Sequence, residues 1–321
     1  MKILTLILRL IVSFTFIFSG FVKLVDPLGS SYKFQEYFSA EVLNLEFLIP
    51  YALPFSILLI LAELMLGVML LLGYLPKFTV LSLFFMILIF LFLTWYSAYY
   101  NKVLDCGCFG DAIKLTPWET FYKNIVLLVF ILILLFVTKY IRPLIHFNFA
   151  KWATFLVFLA FLYITYHVMV HLPIIDFRPY AIGKNIPEGM KPDGFELPPI
   201  HDFYLESGDG RNLTEDVLKE DKVMLIVAYN LNKSDRQGFS KIKEVTDKAI
   251  KNGFKVYALS ASLVDDFIDI KDEFDLSFDL LFCDETTLKT IIRANPGIVI
   301  LRNGTVKGKW NWIDSDKVFS N

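Results

Sequence analysis

The chain has 321 residues, of which 55% are hydrophobic and 16% aromatic, and its net charge is −2 at pH 7. Residues 1–171 carry 11 basic and 8 acidic side chains, whereas the remaining 150 residues carry 20 basic and 25 acidic ones. This uneven distribution predicts a membrane part followed by a soluble domain. Neither part has the basic stripe with interleaved aromatic residues that is typical of nucleic-acid-binding proteins, so no nucleic-acid partner is expected.

Five apolar segments approach or exceed the length of about 20 residues that a helix needs to cross a bilayer. The first is interrupted by Arg9 and has no small-residue cleavage site after it, so we expect a retained helix rather than a cleaved signal peptide. The predicted transmembrane helices cover residues 3–22, 51–73, 78–100, 117–138 and 152–171.

The distribution of Lys and Arg predicts the orientation, because cytoplasmic loops hold an excess of these residues. With a cytoplasmic N-terminus, six basic residues lie inside (Lys2, Arg9, Lys77, Lys139, Arg142 and Lys151) and four outside (Lys23, Lys33, Lys102 and Lys114). Five crossings then place the loop 101–116 and the soluble domain on the outer face of a bacterial inner membrane. That face is oxidising, and thiols there form disulfides.

The loop sequence DCGCFGD, residues 105–111, contains two of the three cysteines, Cys106 and Cys108. A disulfide across three residues is strained and needs a flexible backbone, which Gly107 and Gly110 can supply. Because strain raises the reduction potential, such a bond would be exchangeable rather than structural. The alternative is a pair of incidental thiols at a helix end. A metal site is not predicted, since two thiolates without a neighbouring His do not complete a zinc site.

Ionisable residues inside the predicted helices are further candidates. Glu63 lies near the middle of the second helix, where a carboxyl group is costly and usually faces a partner or a cavity. It could carry protons or contact a quinone, or it could be a neutral residue that stabilises helix packing. Lys23 and Asp26 are expected to form an interfacial pair. His167 and His171 share a helix face, but no further ligand lies near them in the sequence.

Three strings in the first 140 residues together resemble the DoxX/MauE family: SGFVKLVDPLGSSYKFQEYF, AELMLGVMLLLGYLPKFT and DCGCFGDAIKLTPWETFYKNIVLLV. The resemblance implies a four-helix membrane protein associated with thiol and quinone redox chemistry, and the MauE branch is associated with methylamine metabolism. It implies that Cys106 and Cys108 are the redox pair and that a quinone is the candidate cofactor. Residues 141–171 are expected to contain a cytoplasmic loop and the fifth transmembrane helix.

Residues 172–199 contain Pro and Gly without steady periodicity, which predicts an extended linker. Strands and helices then alternate. The expected strands are 223–229, 254–261 and 279–283, the expected helices are 238–251, 264–274 and 285–293, and a hairpin is expected to turn at Asn303 and Gly304. The chain is therefore predicted to have two folded parts, an all-α transmembrane bundle and an α/β domain.

The order of elements over residues 200–321 resembles the thioredoxin superfamily. In that superfamily a proline with a cis peptide bond opens the penultimate strand, and Pro296 after Asn295 occupies this place. A CxxC motif would follow the first central strand, but Lys233 and Arg236 align with its cysteines. The domain is therefore expected to bind a client polypeptide or a thioredoxin-like partner at Asn295 and Pro296 rather than to exchange disulfides.

Cys283 closes the predicted strand 279–283 and is expected to be buried and inert. A role in resolving Cys106 or Cys108 is the less favoured alternative. Two functions remain open from the sequence. One is a membrane thiol/disulfide redox protein that supports disulfide formation or maturation in envelope proteins. The other is a non-catalytic assembly or scaffold protein whose thioredoxin-like domain is an interaction module.

Overall fold

The computed structural model describes residues 1–103, 107–113, 115–192 and 197–320. Cys106 lies outside these described residues. The chain divides into two compact units, Met1–Met169 and Val170–Asn321.

The first unit is helical. Among the described residues, five helices are long and apolar enough to cross a membrane, as predicted. Its α-helices are α1 (Lys2–Val25), α2 (Pro27–Phe38), α3 (Ala52–Leu72), α4 (Pro76–Tyr100), α5 (Pro117–Phe136) and α6 (Phe147–Val170). The short helix α2 was not predicted, because it is too short and too polar to resemble a membrane span.

Local sequence signals fix where the helices begin. Asp26 caps α2 through a hydrogen bond from the Gly29 amide to its Oδ1, and Pro27 occupies the first helical position. At α5, the Thr116 side chain accepts from the Glu119 amide while the Glu119 carboxylate accepts from the Thr116 amide. This reciprocal capping box fixes the start of α5.

Arg9, which interrupts the apolar pattern of α1, stabilises the end of α3. Its guanidinium donates to the carbonyl oxygens of Leu70, Leu71 and Arg142 at 2.8, 2.5 and 2.7 Å. The last carbonyls of a helix have no partner within that helix, so a buried cation is favourable there. Arg9 is therefore committed to main-chain carbonyls at this end of the bundle.

The second unit is an α/β domain. Among the described residues it contains one six-stranded sheet in the order β1-β4-β3-β2-β5-β6. The strands are β1 (Glu206–Ser207), β2 (Val223–Val227), β3 (Lys255–Ser260), β4 (Asp279–Phe282), β5 (Gly297–Arg302) and β6 (Thr305–Asn311). The helices are α7 (Ile186–Gly189), α8 (Thr214–Lys219), α9 (Arg236–Lys251), α10 (Val264–Glu273) and α11 (Glu285–Ile291).

The central strands explain where the core lies. Strands β2, β3 and β4 are parallel, β5 pairs antiparallel with β2, and β6 pairs antiparallel with β5. Every residue of β2 is buried, because alternate side chains enter cores on opposite faces of the sheet. The hairpin turns at Asn303 and Gly304, which have φ values of 45° and 69°. The predicted thioredoxin-like architecture is thus confirmed.

The structure differs from the predicted extended linker at residues 172–199. Tyr180 and Ile186 from this segment are buried in the sheet core, and the main chain of residues 183–186 bonds along the outer edge of β6. Asp176 bonds both Arg178 and Lys309, at 2.7 and 2.6 Å. The composition of residues 172–199 predicts a tether. A few apolar residues at irregular spacing are nevertheless enough to fix the described part of this segment on the sheet.

Replacing Ile186 by Ala should therefore destabilise the second unit by about 2–5 kcal/mol, because it removes a buried side chain that is 2% exposed. Ile182→Ala is the matched control, since Ile182 is 61% exposed in the same segment and should change the free energy of unfolding by less than about 0.5 kcal/mol. Pulse proteolysis of the full chain in urea measures both. If both substitutions changed the free energy of unfolding equally and only slightly, the segment would be a tether, as the composition predicts.

Candidate functional site

The cysteine loop is described from Gly107 to Ile113, between α4 and α5. Gly107 has a φ of +63°, and a Cβ atom there would lie 3.1 Å from Cγ of Lys33. A residue with a side chain would be strained in this backbone conformation and crowded by α2. The glycine between the two cysteines is thus required by the local geometry of the loop.

Cys108 and Phe109 hold this loop against the helices. The carbonyl oxygen of Cys108 accepts a hydrogen bond from Ser19 Oγ at 2.7 Å. The Phe109 ring lies 5.5 Å from the Phe18 ring, and Lys123 Nζ lies 4.2 Å from its centroid. Cys108 is half-buried and has a free thiol. It is therefore both anchored to the bundle and open to reaction.

A buried ion pair joins α1 and α3 beside the loop. Lys23 Nζ donates to Glu63 Oε2 at 2.7 Å, with the side chains 10% and 2% exposed. The ammonium also lies 5.1 Å from the centroid of the Phe90 ring. Two charges removed from water each lose several kcal/mol of solvation, so each depends on the other for compensation.

A chain of hydrogen bonds connects this ion pair to the cysteine loop. Lys23 Nζ donates to Ser19 Oγ at 3.1 Å, and Ser19 in turn donates to the Cys108 carbonyl. Ser19 is 5% exposed. The route therefore runs from Glu63 through Lys23 and Ser19 to the main chain of Cys108.

Cys108 and Lys23 line the same small cleft, which has a cavity volume of about 50 Å³. Most of its wall is apolar or aromatic, and the remaining polar groups come from α1, α2 and α4. The other lining residues are Ser30, Lys33, Phe34, Tyr37, Leu59, Ile60, Phe90, Leu93, Thr94 and Gly107. A largely apolar lining with a few polar atoms is typical of sites that bind small apolar molecules.

The structure brings two of the predicted residues, Glu63 and Cys108, into one network. The predicted interfacial pairing of Lys23 with Asp26 is wrong for Lys23, which is buried and bonded to Glu63. Ser19 was missed as well. The sequence did carry a signal, since a carboxylate within a membrane helix requires a cation from another helix and Arg9 and Lys23 are the basic residues inside α1.

The predicted client-binding residues lie in the second unit. The peptide bond between Asn295 and Pro296 is cis, and Pro296 is buried. The Asn295 side chain accepts from Ser234 Oγ at 2.8 Å and donates to the Asn230 carbonyl at 3.0 Å. Asn295 thus holds the loop that follows β2. Its role in binding a client remains a prediction.

Lys233 and Arg236, which align with the thioredoxin cysteines, are both exposed on that same loop and at the first residue of α9. Arg236 pairs with Glu273 at 2.8 Å. That these two cations replace the thiols of the superfamily, and that this end of the domain binds rather than reacts, remain predictions.

Cys283 is fully buried, and burial together with the charge of Asp284 raises its pKa to about 12. A thiol with this pKa remains protonated at physiological pH, and the thiol form is a poor nucleophile. In the same core, burial raises the pKa of Tyr180 well above its usual value. These surroundings favour the inert role predicted for Cys283 over a resolving role.

The two histidines that share a helix face in the sequence do not form a metal cluster with other residues. Within the described ranges, no group of three His, Cys, Asp or Glu side chains is arranged to hold a metal ion. His171 instead lies beyond the end of α6, and its Nδ1 is 2.7 Å from Asp314 Oδ2.

Comparison with known families assigns the first unit. Residues 1–137 match the family described as Methylamine utilisation protein MauE. This range contains α1 to α5, the Lys23–Glu63 pair and the cysteine loop. No curated protein matches the chain.

Comparison with solved structures gives three similar chains from Bacteroides. The thioredoxin domain of a thiol-disulfide oxidoreductase from B. vulgatus is 14% identical, covering 40% of this chain and 87% of its own, with a TM-score of 0.30. The C-terminal domain of a protein named as a thiol-disulfide oxidoreductase from B. thetaiotaomicron is 19% identical (40% and 86% covered, TM-score 0.30). A thioredoxin-like protein from B. caccae is 13% identical (81% and 78% covered, TM-score 0.28).

Replacing one partner of the ion pair should destabilise the protein more than replacing both partners. Glu63→Leu leaves the Lys23 ammonium buried without its partner, so we expect a loss of about 3–5 kcal/mol in the free energy of unfolding. Lys23→Met combined with Glu63→Leu should recover most of this loss, because an apolar pair fits the apolar surroundings. Titration with SDS measures the free energy of unfolding of the solubilised parent protein and of both variants.

The exposed pair Lys33–Glu36, 3.1 Å apart with side chains 34% and 40% exposed, supplies the control. Glu36→Leu should change stability by less than about 1 kcal/mol. If Glu63→Leu were as mild as Glu36→Leu, the buried ion pair would not exist in the membrane.

Burial also predicts the reactivity of Cys283. With a pKa of about 12, only about one thiol in ten thousand is ionised at pH 8, so maleimide should modify Cys283 only after denaturation. Since the folded pKa exceeds the ordinary value of 9.0, the folded state binds more protons between pH 9 and 12. The free energy of unfolding should therefore fall as pH rises through this window, and less so in Cys283→Ala. Rapid labelling of native Cys283 would contradict this account.

Proposed function

We propose, from the MauE domain that residues 1–137 form, that this multi-pass membrane protein is a thiol/disulfide redox protein that uses Cys106 and Cys108 to support disulfide formation in envelope proteins. The observation that carries the proposal is the place of Cys108. Cys108 lines a largely apolar cleft within the helical unit, and hydrogen bonds through Ser19 connect its main-chain carbonyl to a buried ion pair.

The exchange reaction balances within the two cysteines. A dithiol in a client attacks the Cys106–Cys108 disulfide, the client becomes a disulfide, and the two loop sulfurs become thiols. Regeneration of the loop disulfide then releases two electrons and two protons, which an electron carrier must accept. Gly107 supports this cycle because a glycine adopts its φ of +63° without strain.

The largely apolar lining of the cleft supports the quinone that the family resemblance implies. Phe34, Phe90 and Tyr37 offer faces for a planar ring, Lys23 offers a cationic group, and Cys108 lies on the same wall. When bound, a quinone would accept the two electrons and two protons and leave as a quinol. Glu63 and Lys23 would supply the fixed charges at the inner side of the cleft. The apolar residues of the wall would exclude water.

The second unit has the complementary role of binding. The proposed binding surface contains Asn295 and Pro296, with the exposed cations Lys233 and Arg236 on the loop and helix beside them. A client polypeptide or a thioredoxin-like partner would bind here. We place the N-terminus in the cytoplasm and the cysteine loop and second unit on the outer side of the inner membrane, in agreement with the distribution of basic residues.

Replacing Cys106 or Cys108 by Ser should abolish electron transfer from a dithiol to a quinone. With dithiothreitol as donor and a short-chain ubiquinone analogue as acceptor, we expect the rate to fall about a hundredfold or more in either variant, because a serine cannot form the exchangeable disulfide. Cys283→Ser is the control and should retain the parent rate. The loss of quinone absorbance measures the reaction.

Trapping with a membrane-impermeant alkylating reagent in whole cells then tests the location. Labelling of Cys106 and Cys108 that requires prior mild reduction is the expected result. Normal folding and unchanged quinone reduction in both single variants would instead favour a scaffold whose cysteines are not catalytic.

A further inference from the structure

We propose that Ser19 and Lys23 are positioning residues for Cys108, with Ser19 connecting the loop carbonyl to the buried Lys23–Glu63 ion pair. This inference deepens the proposed function, on which its catalytic meaning rests. It concerns residues of α1 whose sequence context suggests only helix packing and an interfacial charge.

The direction of each hydrogen bond supports this role. A serine hydroxyl has one proton, and Ser19 uses it on the Cys108 carbonyl at 2.7 Å. Its lone pair accepts from Lys23 Nζ at 3.1 Å, and the same ammonium donates to Glu63 at 2.7 Å. Because Lys23 is a donor only, it fixes which way the hydroxyl points. The hydroxyl is thereby held as a donor toward the loop.

The position of the ion pair makes it a rigid support. Ser19 and Lys23 are one helical turn apart on α1, and Glu63 comes from α3. The three side chains are buried, so water does not compete for their hydrogen bonds. Hydrogen bonds to charged groups contribute more than those between neutral groups. A loop segment bonded to this support keeps Cys108 at one place on the cleft wall.

Other contacts hold the neighbours of Cys108 by packing. Gly107 lies against the Lys33 stem, and Phe109 packs on Phe18 and Lys123. The charged side chains that face the loop from the surrounding helices are Lys23 on α1, Lys33 on α2, Glu63 on α3 and Lys123 on α5. Ser19 acts on the main chain of Cys108 itself, so its removal should change the placement of the thiol without changing these charges.

The test measures the reactivity of Cys108 alone. In full-length protein carrying Cys106→Ser and Cys283→Ser, the rate of alkylation by N-ethylmaleimide is followed from pH 6 to 9 in membrane vesicles. Ser19→Ala should raise the plateau rate at high pH about five- to tenfold, because loss of the hydrogen bond frees the segment and exposes the thiol. The pH midpoint should stay where it is in the parent.

Three variants make the result specific. Ser19→Thr keeps the hydroxyl and should restore the parent plateau, whereas Lys23→Met with Glu63→Leu should raise it as Ser19→Ala does. Thr15→Val is the matched control, since Thr15 bonds only to the Ile11 carbonyl of its own helix among the described contacts and faces outward. It should have no effect.

A Ser19→Ala plateau within twofold of the parent would overturn the inference, and so would a moved midpoint, which would mean that Ser19 acts on thiol ionisation. Equal effects of Ser19→Ala and Ser19→Thr would also overturn it, because packing alone would then explain them. The readout needs neither a client nor a quinone. Failure of the quinone assay with an intact Ser19 effect would therefore reject the proposed function only, and the reverse pattern would reject only this inference.

Discussion

The buried ion pair between Lys23 and Glu63 is the interaction on which the first unit depends. Each charge has been taken out of water, and neither has another full charge beside it in its described hydrogen bonds. The pair therefore fixes the register of α1 against α3, since sliding either helix would separate the charges. The register in turn places Ser19 opposite the Cys108 carbonyl. The Lys23–Glu63 pair, although costly to bury, thus helps to fix the position of Cys108 at the cleft.

The same pair explains why the cleft can be apolar and yet contain charge. Its aromatic and aliphatic walls would suit any lipid-soluble molecule, but Lys23 and the Cys108 thiol give the wall a polar and reactive side. A bound ring would meet a cation that is already paired with Glu63. In this arrangement the apolar walls of the cleft would bind a ligand, and the cysteine loop would carry out the chemistry.

Much of the architecture was predictable because it follows from periodicity and composition. The five spans, the alternating strands and the turn at Asn303 and Gly304 are local patterns, and the structure has them close to the predicted bounds. The attachment of residues 172–199 was not predictable from composition. Tyr180 and Ile186 are buried by the sheet of the second unit, and nothing in their immediate sequence shows that a surface is available to them.

The residues of the candidate site also fall into those that the sequence reveals and those that it does not. Cys108 and Glu63 are conspicuous in the sequence, because a thiol pair at a membrane edge and a carboxyl inside a membrane helix both need an explanation. Lys23 and Ser19 are inconspicuous, because a lysine near a helix end is ordinary and a serine in a membrane helix usually bonds its own backbone. Their importance comes from the partners that folding brings to them, from α3 and from the loop between α4 and α5. The reactive residues of this protein can therefore be found in the sequence by their chemistry. The residues that position them can be found only from their hydrogen bonds in the folded structure.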